Sequence, residues 1–189
     1  YLIANAKRIE VRTGSANYLA RVVKSDPTHN LALLHIKTRS TPLHLGISRA
    51  VALGEPVFTI GFPSARAKAI EPKFTDGKIT SLFGRQKDPR FYQASLPALP
   101  GNAGGALVDD AGLAIGMITF RPGNLKTFNL TGSLPQNVNQ SLKSAQIAAF
   151  LARIPEANAK IPINRPPKRT YPQAIAAAQA ATVLIHVQP

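Results

Sequence analysis

The chain has 189 residues, 44% of them hydrophobic, enough to build a core in one domain or two small ones. Lys and Arg total 23 against 9 Asp and Glu, a formal charge of +14 that attracts polyanions, while the absence of cysteine excludes disulfides, thiolate catalysis and cysteine-held zinc. Sixteen prolines and thirteen glycines break the chain into short apolar runs, none of which approaches a membrane span, so the composition favours strands and turns over a helical bundle.

The chain begins at Tyr1 with neither an initiator methionine nor a signal peptide, so an upstream segment is expected. From Lys7 onward the pattern is strand-like. "RIEVRT" alternates, "NYLARVVKS" follows the turn at Gly14 and Ser15, and "NLALLHIKT" follows Asp26 and Pro27. "TPLHLGISRAVALGE" is expected to be a connection ending at Gly54. Then come "PVFTIGFP", "FTDGKITSLFG", "RFYQASLPAL", "GGALVD", "GLAIGMITF" and "QNVNQSL", each bounded by Gly, Pro or Asp. That second group fits a small antiparallel barrel or sandwich.

Ser141 to Ile154 breaks the rhythm, since Leu142, Ala145, Ile147, Ala149, Phe150 and Leu151 fall mostly on one helical stripe. One amphipathic helix closing the second barrel is expected there. Residues 155–172 are rich in proline and predict an extended linker, and "AIAAAQAATVLIHV" predicts an alanine-rich helix running into a β-branched strand. The division expected is a partial first barrel over 1–47, a second barrel with its helix over 48–154, the linker over 155–172 and a helix-strand segment over 173–189.

Few residues carry chemistry. His29, His35, His44 and His186 fit no local metal motif, so no metal or other cofactor is expected and a structural role is assigned to each. The cations are scattered; "AKRIEVR" and "RPPKR" are dense but lack interleaved aromatic residues, which makes a solvated basic surface the expectation over a nucleic-acid site. The informative stretch is "PGNAGGALVDDAGLAIGMI", Pro100 to Ile118. Acyl transfer needs backbone N–H groups converging where a carbonyl oxygen becomes negative, and glycines permit that close approach.

This stretch resembles the nucleophile loop of trypsin-fold serine proteases of the HtrA/DegP-like bacterial branch, in which Gly-Asn-Ser-Gly-Gly precedes a turn and a further strand. Ala103 stands at the serine. "DPTHNLALLHI" is similar to the segment carrying the triad aspartate, where Asn30 now stands, and "YLIANAKRIEV" is similar to the segment that opens with the catalytic histidine, where Tyr1 falls. "GEPVFTIGFP", "TDGKITSLFGR" and "LPQNVNQSLKS" extend the resemblance through the second barrel to about residue 152. The fold it implies is all-β, two antiparallel barrels with a C-terminal helix, and it implies an oxyanion hole at Gly101, Asn102 and Ala103 with Gly104 and Gly105 as loop glycines.

The three catalytic positions therefore hold Tyr1, Asn30 and Ala103. Alanine has no oxygen to attack a carbonyl, tyrosine with its pKa of about 10 is a poor base at neutral pH, and asparagine cannot stabilise an imidazolium as a carboxylate does. The expectation is a natural pseudoprotease that binds an extended peptide or unfolded protein segment. Two alternatives stand beside it: an active serine endopeptidase represented by a fragment or variant sequence, and a basic polyanion-binding protein.

Substitutes for the missing groups are few. His29 neighbours Asn30, but strand alternation would turn it out of the same cleft. Asp26 is expected to be a turn or capping residue, Ser95 has no base placed beside it, and Asp109 with Asp110 forms a hairpin turn before Gly112. The resemblance also leaves the first barrel short of strands, and the final helix-strand segment is similar to the opening of HtrA-like protease domains. Thr182 to Val187 is accordingly expected to add to an open sheet edge, in its own chain or in a neighbour's by self-association, with packing elsewhere as the alternative. A periplasmic or secreted location is what the resemblance implies.

Overall fold

The structure is a computed structural model that describes residues 2–14, 16–46, 51–63, 71–97, 101–119, 139–158 and 169–188. Its centre is a closed antiparallel barrel of β6 (Pro56–Gly61), β7 (Lys73–Ser81), β8 (Phe91–Ala94), β9 (Ala106–Asp109), β10 (Leu113–Thr119) and β11 (Gln140–Lys143). The strand order is β11-β8-β7-β6-β9-β10, and pairing of β10 with β11 closes the ring. Closure leaves no free edge among these six strands. The interior is filled by Val57, Ile79, Tyr92, Leu96, Leu107, Ile115 and Ile118, all of them at most 2% exposed.

The first half carries β1 (Arg8–Thr13), β2 (Ala16–Leu19), β3 (Arg21–Asp26) and β4 (Leu31–His35). Among the described residues they form two small sheets and not a closed barrel: β1 and β2 belong to one, β3 and β4 to the other. Leu31 and Leu33 of β4 pack with Leu142, Phe150 and Ile154, which joins this half to the barrel. The connection expected over 41–54 contains β5 (His44–Leu45), which runs parallel to β10 at Leu113 and Ala114. Only two residues pair, too few for a periodic signal in the sequence.

The closing helix is shorter than its apolar stripe. Gln140–Lys143 is strand, bonded to β8 on one side and β10 on the other, and α1 occupies Ser144–Ala152. Two partner strands satisfy the backbone of Ser141 and Leu142, and burial of both side chains to 0% exposure outweighs their place on a helical stripe. The Ser144 hydroxyl then donates to the Gly46 carbonyl at 2.6 Å. Within the expected linker, α2 spans Pro155–Asn158; residues 159–168 lie outside the described residues.

The C-terminal segment forms α3 (Tyr171–Ala181) and β12 (Leu184–Gln188). Proline in the first turn suits a helix start, and the Gln173 side chain accepts a 2.9 Å bond from the Thr170 N–H. β12 pairs antiparallel with β1 of its own chain from Arg8↔Gln188 to Arg12↔Leu184, giving the sheet order β12-β1-β2. The own-chain alternative for Thr182 to Val187 is thus what the structure contains. Meanwhile Ala174 and Ala178 of α3 pack on Phe58, Ile60 and Val108. That contact explains why five of the six residues of β6 are buried: alternate side chains enter the barrel and the others meet the helix.

Candidate active-site loop

The glycine-rich loop 101–105 runs directly into β9, and β6 holds it from beneath. The Phe62 N–H donates to the Gly101 carbonyl at 3.1 Å, the Gly104 N–H to Ile118 at 2.9 Å, the Gly105 N–H to Asn102 at 2.9 Å and the Ile118 N–H to Gly105 at 2.8 Å. Gly101 has φ +98° and Gly104 φ +82°, backbone states that side chains disfavour. Packing is as restrictive as torsion. A Cβ on Gly61 would come within 2.5 Å of Asn102 Oδ1 and 2.9 Å of its Cα, and one on Gly105 within 2.9 Å of the Asn102 carbonyl.

Within this frame Ala103 is exposed, and no group among the described residues accepts its N–H. Asn102 is 1% exposed, yet neither polar atom of its side chain has a partner among the described residues. Such a buried orphan costs about 1–3 kcal/mol, and groups of this kind concentrate in functional loops. Asn30 lies elsewhere, exposed at the end of the turn before β4 with φ +56°, its N–H directed to the Pro27 carbonyl at 3.3 Å. Tyr1 and Pro100 lie outside the described residues. Gly101, Asn102, Ala103, Gly104 and Gly105 are therefore brought together around β6 and β10, and Asn30 belongs to the other half.

The trypsin-like peptidase domain family matches residues 2–117, more than half of the chain. The chain belongs to this family. Among its curated relatives, the uncharacterized protein y4bJ of Sinorhizobium fredii is 39% identical over 152 residues, covering 80% of this chain and 24% of that protein. A probable periplasmic DegP-like serine endoprotease of Pseudomonas fluorescens is 34% identical over 123 residues, 62% of this chain and 25% of that protein. This peptidase-like domain spans about a quarter of the length of both. Among solved structures, the HtrA-type protease AlgW with a decapeptide matches with a TM-score of 0.66 and 28% identity, over 82% of this chain and 46% of that one. A serine-to-alanine variant of AlgW with a tripeptide matches with a TM-score of 0.63 and 29% identity, over 80% and 48%. The chain thus has an HtrA-like trypsin fold.

The residues weighed as substitutes have structural employment in this trypsin-like domain. Ser95 Oγ accepts the Lys78 N–H at 3.0 Å, and the Ser95 N–H returns to the Lys78 carbonyl at 2.9 Å. Asp26 Oδ1 accepts the His29 N–H at 3.2 Å, a turn role, and Asp26 Oδ2 lies 2.8 Å from His29 Nδ1. Strand alternation predicted His29 turned out of the cleft; the residue is in the turn instead, and its ring is oriented by Asp26. A cavity beside this pair, and the buttress formed by Gly61 and Phe62, have no motif that announces them. Among the described residues no group of three His, Asp or Glu side chains could hold a metal ion, and no helix is long and apolar enough to cross a membrane.

Asp109 accepts the Leu113 N–H at 2.7 Å, and the Gly112 N–H donates to its carbonyl at 3.1 Å, fixing the β9–β10 turn. Burial raises its carboxyl above the ordinary value, with repulsion from Asp110 and Glu55 added and the Leu113 bond opposing. Its native state therefore holds the proton more tightly than the unfolded chain does. That contribution to stability is present below the unfolded value of 3.8 and is lost as pH rises through the raised value. Asp109→Asn keeps an acceptor for Leu113 and removes the buried charge. Its thermal midpoint is expected to exceed the parent's by a few degrees at neutral pH and to equal it in acid, as differential scanning fluorimetry across pH would show.

Proposed function

We propose that this domain is a proteolytically inactive HtrA-like trypsin fold that binds an extended peptide or unfolded protein segment. The observation that carries the reading is the loop itself: glycines at 101, 104 and 105 keep a tightly buttressed turn while residue 103 is an exposed alanine. A glycine frame of this kind costs conformational entropy and restricts sequence, which makes sense where backbone groups meet a ligand. With alanine at 103 and asparagine at 30, neither the nucleophile nor the carboxylate of a triad is available. Extended-chain binding depends on backbone N–H and C=O groups and side-chain pockets, none of which requires a triad. The relatives solved with a decapeptide and a tripeptide support the same ligand class.

Fluorescence anisotropy with a labelled, unfolded casein fragment tests both halves of this reading. The expected result is saturable binding, changing little between roughly 50 and 200 mM salt, with the fragment recovered intact. Cleavage that a serine-reactive phosphonate abolishes would establish an active endopeptidase instead. Affinity collapsing over that salt range would assign the interaction to the +14 surface charge.

A further inference from the structure

Outside the glycine loop, the turn 26–29 and the C-terminal end of α1 line an open, shallow cavity of about 290 Å³, bordered by Lys24, Ser25, Asp26, Thr28, His29, Phe150 and Arg153. The carboxylate in this group, Asp26, is committed: it accepts both the backbone N–H and the ring Nδ1–H of His29. The hydrogen bond from the His29 side chain is the main reason its carboxyl is held below the usual range, so it stays ionised and faces its own turn. With Nδ1 bound to Asp26, Nε2 is the polar atom left to the imidazole. Lys24 and Arg153 bring positive charge from two different elements, and Ser25 and Thr28 bring hydroxyls. Phe150, 6% exposed and packed with Leu31, Leu142 and Ile154, supplies an apolar floor.

A planar carboxylate is satisfied by one guanidinium. Donors supplied from both a turn and a helix end suit a tetrahedral group with three outward oxygens. We propose that this cavity binds a small phosphate monoester, its phosphoryl oxygens taken by Lys24, Arg153 and Thr28, its P–OH donating to His29 Nε2 and its organic part resting on Phe150. The site is separate from the glycine loop and does not depend on whether the domain is catalytic. Asp26 is a positioning residue, holding the ring with Nε2 directed away from the carboxylate.

Nuclear magnetic resonance titration of the whole chain, at ionic strength held constant with sodium chloride, tests this with inorganic phosphate, phenyl phosphate and benzoate as probes. Saturable shifts are expected at the His29 ring and at the Thr28 and Arg153 signals. Phenyl phosphate should bind several-fold tighter than inorganic phosphate because its ring covers Phe150. Arg153→Gln should weaken it about tenfold or more, the size expected for one charged hydrogen bond, with the remaining spectrum unchanged as proof of folding. His29→Gln, which keeps a polar side chain without the imidazole, should weaken it as well. Shifts spread over the basic surface, equal binding of benzoate, or unchanged affinity in Arg153→Gln would each overturn the proposal.

Discussion

Restoring Tyr1→His, Asn30→Asp and Ala103→Ser together is expected to turn a protein with no measurable hydrolysis of unfolded casein into one that cleaves it. The rise should be at least about a thousandfold, because triad members act as a unit and any partial set leaves most of the loss in place. The backbone tolerates the changes at 30 and 103. Asn30 has φ +56°, a left-handed state in which aspartate is among the better-accepted side chains, and Ala103 is exposed, so one added oxygen meets no buried wall. Single and double restorations serve as controls and should stay near background. Activity confined to the triple variant would show that the loop retains its frame and lacks only the reacting groups. A folded but silent triple variant would show that the surroundings of the loop have changed as well, and would leave binding to be tested by anisotropy alone.

The second large effect is predicted for the frame. Gly101→Ala would place a Cβ against the Phe62 carbonyl oxygen, within 2.7 Å of its carbon and 2.8 Å of Pro63 Cα, at φ +98°. All three neighbours are backbone, so no side chain can swing aside. The substitution combines a torsional cost of roughly 1–2 kcal/mol with an overpacking cost of about 1–3 kcal/mol. A fall in thermal midpoint of roughly 5–15 °C follows for a chain of this size, together with loss of peptide binding. Gly104→Ala separates the two causes. Its φ of +82° carries the torsional cost, but nothing lies within 4 Å of its would-be Cβ. Its midpoint should fall by only a few degrees, and retained peptide binding would show that the Gly101 effect arises from displacement of the 61–63 segment.

Much of the candidate loop was legible because its signal is local. The order Gly101, Asn102, Ala103, Gly104, Gly105 and the turn at Asp109 to Gly112 are written in neighbouring residues, and short runs between turn formers place β1, β4 and β6 to β10, whereas "NYLARVVKS", one strand by its pattern, is divided at Ala20 into β2 and β3, which pair with β1 and β4. Where pairing partners are remote, the local pattern is ambiguous. Leu142 satisfies a helical stripe as well as a strand, and two flanking strands decide between them. The two-residue β5 exists through its partner Leu113 and Ala114, nearly seventy positions away.

By itself the sequence determined the all-β class through its strand and turn pattern and the trypsin-like loop through its resemblance to the family, and that resemblance implied Tyr1, Asn30 and Ala103 as the catalytic positions. Tertiary structure alone decided that α3 covers the outer face of β6, that β12 completes the sheet edge at β1, and that Lys24 and Arg153 meet across a cavity. The reason is physical. A local pattern fixes backbone preference and the spacing of apolar side chains, whereas which surfaces meet depends on long-range burial and on strand edges finding partners, and no short window of residues contains both sides of such a contact.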